Sequence, residues 1–308
     1  MRVGVVDIGS NSTRLYVADV EDGRVTAEHE RRSQVTRLGQ GVDASGRLAD
    51  EALDRVRSVL DGYAAALDDL GAERRVAVLT SAVRDAENGD DFLAEVRDHY
   101  RLDARTVPGE DEARLTFLGA TSEGDPDDGA PVLVVDVGGG STEIVVGADG
   151  EVSFWTSTQM GVVRQTERHL HHDPPEVPEL EALAEDARGI LATEVPEDVR
   201  DAARSCIAVA GTATSLAAID LELEPYDPAR VHGHVVSAAR CEELLDRLAA
   251  LTDDERREVP GLHPDRAPTI VAGVIVLREA LRVFGLDEFT ASEHDILRGA
   301  AVEAAGGE

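Results

Sequence analysis

The chain has 308 residues, of which 62 are acidic and 30 basic, and its formal net charge is −32. This acidity argues against sequence-independent binding to nucleic acid or to anionic lipid, because both require a basic surface. It does not exclude an anionic substrate, since a few arginines, helix N-termini or a metal ion can reverse the local field.

The N-terminal part of the chain predicts a run of strands followed by helices. RVGVVDIG (2–9), TRLYVADV (13–20) and RVTAEHERRSQVTRL read as strands joined by polar turns. Residues 50–70 carry apolar residues at helical spacing and stop at a glycine. A strand that runs into a polar turn (RRVAVLTSAVRDAENG), a helix (GDDFLAEVRDHY) and a helix from about Glu110 follow.

The second half of the chain repeats the opening pattern. SEGDPDDGAP (122–131) consists of turn-forming residues and predicts a boundary between domains at 1–124 and 125–308. PVLVVDVGGGSTEIVVGADGEVSFWTSTQMG then repeats the strand–turn–strand–turn–strand order, and SCIAVAGTATSLAAID predicts a strand that leads into a helix. The chain from about Val235 reads as mainly helical. Successive strands followed by helices predict an α/β fold with mixed sheets flanked by helices.

The two repeated turns are the strongest functional signal. Aligned on Asp7 and Asp136, they share a preceding Val-Val, a glycine, a serine and a threonine at matching positions. Turns of glycine, serine and threonine direct backbone N–H groups and hydroxyls to one point, which is a concavity that binds phosphate. The aspartate before each turn can hold Mg²⁺ or orient water. A single such turn is more often an ordinary hairpin turn, but two copies favour a phosphate site.

Six motifs in order resemble the exopolyphosphatase and guanosine pentaphosphate phosphatase (Ppx/GppA) family. They are DIGSNSTR (7–14), TSAVRDAEN (80–88), PGEDEARLTFLG (108–119), DVGGGSTE (136–143), GTATSLAA (211–218) and HGH (232–234). The resemblance covers almost the whole chain and matches the short, two-domain form. It implies the actin/Hsp70/sugar-kinase-like (ASKHA, ribonuclease H-like) fold, an active site in the interdomain cleft, and a C-terminal helix at about 295–308 that packs back on the first domain.

The resemblance assigns Glu112 as the catalytic carboxylate that deprotonates the attacking water. The residues alone leave Glu110, Asp111 and Glu112 equivalent, because each can favour a helix N-terminus. Arg84 is the second predicted catalytic residue, since its planar guanidinium suits phosphoryl oxygens. A surface ion pair with a neighbouring acid is its alternative role.

The remaining site residues are expected to hold phosphate or metal. Asp136 and Glu143 match the family's metal-associated acids, with Asp7 as the counterpart, and Mg²⁺ or Mn²⁺ is the implied cofactor. The predicted phosphate-binding residues are Ser10, Asn11, Ser12 and Arg14 from the first domain, Gly139, Gly140, Ser141 and Thr142 from the second, and Gly211 and Thr212 at a predicted helix N-terminus.

Several other residues are given structural roles or left open. Cys206 and Cys241 are expected to be buried free thiols. RHLHHDPP (168–175) is interpreted as a solvated helix end rather than a metal site, whereas HGH is placed near the cleft by resemblance. Arg266-Ala267-Pro268 departs from the family's Arg-Ala-Asp pattern, which puts the local helix start or a dimer contact in doubt.

The leading function is hydrolysis of the terminal phosphate of inorganic polyphosphate. The alternatives are a guanosine pentaphosphate (pppGpp) 5′-phosphohydrolase, an ATP-dependent sugar or acetate kinase, and a non-catalytic sensor of polyphosphate or an alarmone. No stretch resembles a secretory signal or a membrane-spanning helix, so we expect a cytoplasmic protein without membrane or nucleic-acid partners. The family resemblance implies a homodimer.

Overall fold

The computed structural model describes residues 1–122 and 129–306. Residues 123–128 of the predicted boundary segment therefore lie outside the described residues, and the division at 124/125 stays a prediction. The chain forms two compact units. Unit 1 comprises Met1–Ser122 and the C-terminal segment that begins at Asp295, whereas unit 2 comprises the intervening described residues up to His294.

The strands and helices of both units follow in chain order. The strands are β1 (Arg2–Ile8), β2 (Ser12–Glu21), β3 (Arg24–Val35), β4 (Arg74–Leu79), β5 (Asp103–Thr106), β6 (Val132–Val137), β7 (Thr142–Ala148), β8 (Glu151–Thr158), β9 (Ser205–Val209), β10 (Val235–Ser237) and β11 (Glu288–Ala291). The helices are α1 (Val42–Ser45), α2 (Asp50–Asp69), α3 (Ser81–Asp85), α4 (Gly89–Tyr100), α5 (Gly109–Ala120), α6 (Val162–His169), α7 (Val177–Glu194), α8 (Glu197–Ala202), α9 (Ala210–Asp220), α10 (Pro228–Val231), α11 (Ala238–Ala249), α12 (Asp253–Arg256), α13 (Ala267–Phe284) and α14 (Ile296–Gly306), with a 3₁₀ turn at Pro264–Arg266.

Unit 1 has a mixed sheet in the order β3-β2-β1-β4-β5. The first three strands form an antiparallel meander, and β4 and β5 run parallel to β1. Alternate residues of β1 face opposite sides of the sheet. Val6 and Ile8 pack in the core that contains α2, whereas Val3 and Val5 pack with α5 and α14. The alternation places Asp7, at the end of β1, on the α5 and α14 side.

Unit 2 repeats this topology with one added strand. Its sheet has the order β10-β11-β9-β6-β7-β8, in which β6, β7 and β8 form the meander and β9 and β11 run parallel to β6. The extra strand β10 pairs antiparallel with β11 at the edge. The apolar helix α13 is central to the core and packs against α6, α7 and α11.

The predicted fold class, α/β with mixed sheets flanked by helices, is confirmed. The sequence reading was incomplete at several short elements, among them β10 in the part read as mainly helical. β11 was missed in the part read as mainly helical, because a strand of four residues (Glu288–Ala291) is too short to show alternation. The polar turn after β4 contains a short helix, α3. In the described ranges 1–122 and 129–306, no helix combines the length and the apolar character needed to cross a bilayer.

Candidate active site

The two repeated turns have the same local geometry. In unit 1 the Gly9 N–H donates to the Ser12 carbonyl at 3.0 Å, and in unit 2 the Gly138 N–H donates to the Ser141 carbonyl at 3.0 Å. A Cβ atom at either glycine would lie 3.1 Å from that carbonyl oxygen, which is a crowded contact. Because glycine has no side chain, each turn can close tightly just after the strand that carries Asp7 or Asp136.

Helix α3 connects the first turn to the predicted catalytic pair. The Ser10 hydroxyl accepts the Ala82 N–H at 3.1 Å and lies 2.9 Å from the Ser81 hydroxyl, so the turn is fastened to the start of α3. The same helix carries Arg84, whose Nη1 lies 3.1 Å from Glu112 Oε2 and donates to the Val107 carbonyl at 2.9 Å. Ser10, Arg84 and Glu112 are thus linked through one short helix in unit 1.

Burial separates the three acids at the start of α5. Glu110 is exposed, Asp111 is half-buried, and Glu112 is buried with 7% of its surface exposed. The ion pair with Arg84 fixes the direction of the Glu112 carboxylate. Arg84 also approaches Asp85, at 3.7 Å, so the alternative ion pair considered from the sequence is present beside the pair with Glu112.

Arg14, predicted to bind phosphate, lies between two buried carboxylates. Its Nε and Nη2 are 2.8 and 2.6 Å from Asp7 Oδ2, and its Nη1 donates to Asp295 Oδ2. Burial raises the pKa of Asp7, which Arg14 opposes and Asp295 reinforces. Burial also acts to raise the pKa of Asp295, but Arg14 and Arg31 lower it below its ordinary value. Phosphate binding by Arg14 stays a prediction.

The second turn presents two acids on one face of the sheet. Asp136 on β6 and Glu143 on β7 are directly opposite in the antiparallel register, and 7% and 1% of their surfaces are exposed. Ser157 on β8 is next in register and donates its hydroxyl to Glu143 Oε1 at 2.7 Å. Two neighbouring carboxylates are the donor set that Mg²⁺ uses together with phosphate oxygens and water.

The carboxylates therefore fit a divalent ion that shares its coordination with substrate and water. Within the described residues, no group of three or more His, Cys, Asp or Glu side chains is arranged to hold a metal ion. Asp136 and Glu143 are the residues of this turn that would hold such an ion. Asp7 is buried in unit 1, and its Oδ1 has no hydrogen-bond partner among the described residues. Its assignment to the metal stays a prediction.

The predicted phosphate ligands of the second turn contact the start of α6 and the residues just before it. The Thr142 hydroxyl donates to the Met160 carbonyl at 2.6 Å, and the Gly139 carbonyl accepts the Val163 N–H at 2.9 Å. A Cβ at Gly161, which precedes α6, would lie 2.3 Å from the Gly139 oxygen. The Thr142 side chain is thus engaged within the protein. Phosphate binding by Gly139, Gly140, Ser141 and Thr142 stays a prediction.

Gly211 and Thr212 were expected to precede a helix but lie within the first turn of α9, and a further arginine lies against Gly211. A Cβ at Gly211 would be 1.1 Å from Arg266 Nη1, so the guanidinium occupies the space that a side chain would fill. The preceding Ala210 has a φ of 60°, a left-handed conformation that non-glycine residues rarely adopt. The sequence analysis named Arg266 only as part of the Arg266-Ala267-Pro268 stretch and gave it no role in the site.

Comparison with known proteins identifies the family. The profile of the Ppx/GppA phosphatase family matches residues 16–305. The chain belongs to this family. It is 42% identical to Exopolyphosphatase 2 of Mycobacterium tuberculosis over 318 aligned positions, which cover 99% of each chain.

Solved structures agree in fold over nearly the full length. The Aquifex aeolicus member of the Ppx/GppA family is 31% identical, covers 99% of this chain and 97% of its own, and has a TM-score of 0.83. A solved exopolyphosphatase-like protein is 35% identical, covers 98% of this chain and 97% of its own, and has a TM-score of 0.92. The family resemblance predicted from the six motifs is therefore confirmed.

In this Ppx/GppA chain, the histidines noted from the sequence pair with other side chains or face solvent, and the two cysteines are buried. His234 Nε2 lies 2.7 Å from Asp220, and the His232 ring stacks on His294 with centroids 4.2 Å apart. RHLHHDPP begins in the last turn of α6 and continues beyond the helix, with His171 and His172 exposed to solvent. Both cysteines are free and buried, which confirms their predicted state, and burial raises the pKa of both thiols.

Proposed function

We propose that this chain is an exopolyphosphatase that hydrolyses the terminal phosphate of inorganic polyphosphate. Membership of a phosphatase family supports the reaction class, and similarity to Exopolyphosphatase 2 along the whole chain supports the substrate. The observation that carries the mechanism is the buried Glu112, 3.1 Å from Arg84 and linked through α3 to the first turn.

Glu112 serves as the general base. Its carboxylate accepts a proton from water while the water oxygen bonds to the terminal phosphorus. The bond from that phosphorus to the bridging oxygen breaks, which releases orthophosphate and leaves a chain shorter by one phosphate. Arg84 lies beside the base, where its guanidinium can neutralise charge on the phosphoryl oxygens. A general base of this kind contributes about 10²–10⁴ in rate.

Mg²⁺ or Mn²⁺ would be held by Asp136 and Glu143, and would neutralise charge on the substrate phosphates when bound. Ser157 prepares this pair by fixing one oxygen of Glu143. The assignment of Asp7 to the metal, and of the two turns to one phosphate chain, stays a prediction from the sequence. Exposed acidic residues elsewhere do not oppose this chemistry, because solvent and salt screen distant charges.

A phosphate-release panel tests the proposal. Polyphosphates of several lengths, pppGpp and ATP are compared at equal concentration of terminal phosphate, at low and high salt, with Mg²⁺. We expect the highest kcat/KM on polyphosphate. Preference for pppGpp would make the chain a pppGpp phosphohydrolase, ATP turnover that needs an acceptor would make it a kinase, and tight binding without turnover would make it a sensor.

The homodimer and the cytoplasmic location also belong to this proposal. We expect light scattering at micromolar concentration to give twice the monomer mass, and fractionation to recover the protein with the cytosol. A monomeric mass across the concentration range would refute the dimer without touching the proposed activity, because the catalytic pair lies within one unit.

A further inference from the structure

We propose that Asp295 is a positioning residue that holds Arg14 on Asp7, so that the second oxygen of Asp7 keeps one direction. This inference rests on the proposed function, because it assigns Asp295 to the same reaction. None of the six motifs contains Asp295. It lies far along the sequence from the first turn, whose motif contains Asp7 and Arg14.

Asp295 divides its two carboxylate oxygens between a helix and a guanidinium. It is buried, with 2% of its surface exposed, and directly precedes α14. Oδ1 accepts the Leu297 N–H at 3.0 Å, which satisfies a backbone donor at the start of the helix. Oδ2 accepts Arg14 Nη1 and lies 3.5 Å from Arg31 Nη2.

Arg14 transmits this position to Asp7. One edge of its guanidinium, Nε and Nη2, contacts Asp7 Oδ2, while Nη1 on the other edge contacts Asp295. Because a guanidinium is planar and rigid, fixing both edges fixes the plane. Asp7 Oδ1, which has no hydrogen-bond partner among the described residues, is thereby held in one orientation. It can then accept a hydrogen bond or bind a cation without rearrangement.

The helix that carries Glu112 is packed against the same segment. A Cβ at Gly119 of α5 would lie 1.9 Å from the Asp295 carbonyl oxygen, and a Cβ at Gly299 of α14 would lie 1.9 Å from the Leu115 carbonyl oxygen. The two helices therefore cross in backbone contact at both points. This packing fixes Asp295 relative to α5. The orientation of Asp7 and the position of Glu112 therefore both depend on the contact between α5 and α14.

A purely structural role for Asp295 would be that of a helix cap alone. Asparagine separates the two roles, because it caps helices as well as aspartate does but carries no charge for Arg14. Glu303 offers a matched control on the same helix, since its carboxylate also joins two arginines, Arg105 and Arg114.

The experiment compares Asp295→Asn and Glu303→Gln with the wild type on polyphosphate. We expect Asp295→Asn to lower kcat by about tenfold to a hundredfold, the effect of losing a hydrogen bond to a charged group. KM should change by less than about threefold, and the thermal unfolding midpoint should fall no further than in Glu303→Gln. A kcat within about threefold of wild type, or an equal fall in Glu303→Gln, overturns the proposal.

A second measurement does not depend on activity. The Nε–H of Arg14, identified by its loss in Arg14→Lys, should exchange slowly with water in the wild type and much faster in Asp295→Asn. If Asp295→Asn leaves this exchange unchanged, the positioning role is refuted. A wild type that releases no phosphate from polyphosphate would instead refute the proposed function, so the two failures are distinguishable.

Discussion

The two turns share one backbone hydrogen-bond pattern but differ in the residue that is paired with the aspartate on the neighbouring strand. In unit 1 Asp7 is opposite Arg14, and in unit 2 Asp136 is opposite Glu143. A serine follows next in register in both sheets, Ser33 in the first and Ser157 in the second. A single pairing position therefore decides whether the aspartate of a duplicated turn faces an arginine, as in unit 1, or a second carboxylate, as in unit 2.

Because the scaffold is shared, each consequence of this difference can be tested on its own. Changes in unit 1 should act on the rate of the chemical step and on stability. Changes in unit 2 should act on the requirement for metal.

The first prediction concerns the base that only unit 1 supplies. Glu112→Gln should lower kcat by about 10²–10⁴, because amide nitrogen and oxygen cannot take the proton from water. Binding of polyphosphate, measured by calorimetry, should stay nearly unchanged. Glu110→Gln, an exposed acid on the same helix, is the control. Retention of more than about a tenth of the wild-type rate in Glu112→Gln would contradict general-base catalysis.

The second prediction separates the two aspartates by their demand for metal. Asp136→Asn and Glu143→Gln should each weaken Mn²⁺ binding, followed by electron paramagnetic resonance, by more than the roughly 10–100-fold that an outer-shell group contributes. Asp7→Asn should weaken it less, because Arg14 already neutralises that carboxylate. Excess EDTA should stop phosphate release. Equal losses of Mn²⁺ binding in Asp7→Asn and Asp136→Asn would remove the distinction between the turns.

The third prediction uses the stability of the ion pair that Arg14 forms with Asp7 and Asp295 in unit 1. Arg14→Met leaves Asp7 and Asp295 buried without their shared cation, which should lower the free energy of unfolding by about 3–5 kcal/mol. Glu143→Gln, a change of charge at the equivalent position, should lower it far less. Urea unfolding measures both. A comparable loss in the two variants would show that the pairing position has the same structural role in each unit.

The fourth prediction addresses the serine beside the carboxylates. Ser157→Ala removes the hydroxyl that donates to Glu143, so Mn²⁺ affinity should fall by about tenfold. Ser153→Ala is a control on the same strand, because that hydroxyl donates to the Val146 carbonyl. An unchanged affinity in Ser157→Ala would show that Glu143 is oriented without it.

The sequence predicted the two turns and the strands beside them, because this local pattern occurs twice. It predicted the family because six motifs follow one another in order. Burial then distinguished Glu112 from Glu110 and Asp111, which the sequence alone could not do. Asp295 escaped prediction because its contacts with Arg14 join distant parts of the chain and have no local pattern. Arg266 escaped for the same reason, since only the fold brings its guanidinium to Gly211.

Unit 1 is built from the first and the last parts of the described chain, whereas unit 2 is continuous. During synthesis on the ribosome, unit 2 can therefore acquire its complete set of strands before α14 emerges. The sheet of unit 1 must wait, with the apolar side that includes Val3 and Val5 uncovered, until that helix arrives. The nascent chain consequently gains its Arg14–Asp295 contact only after α14 has been synthesised.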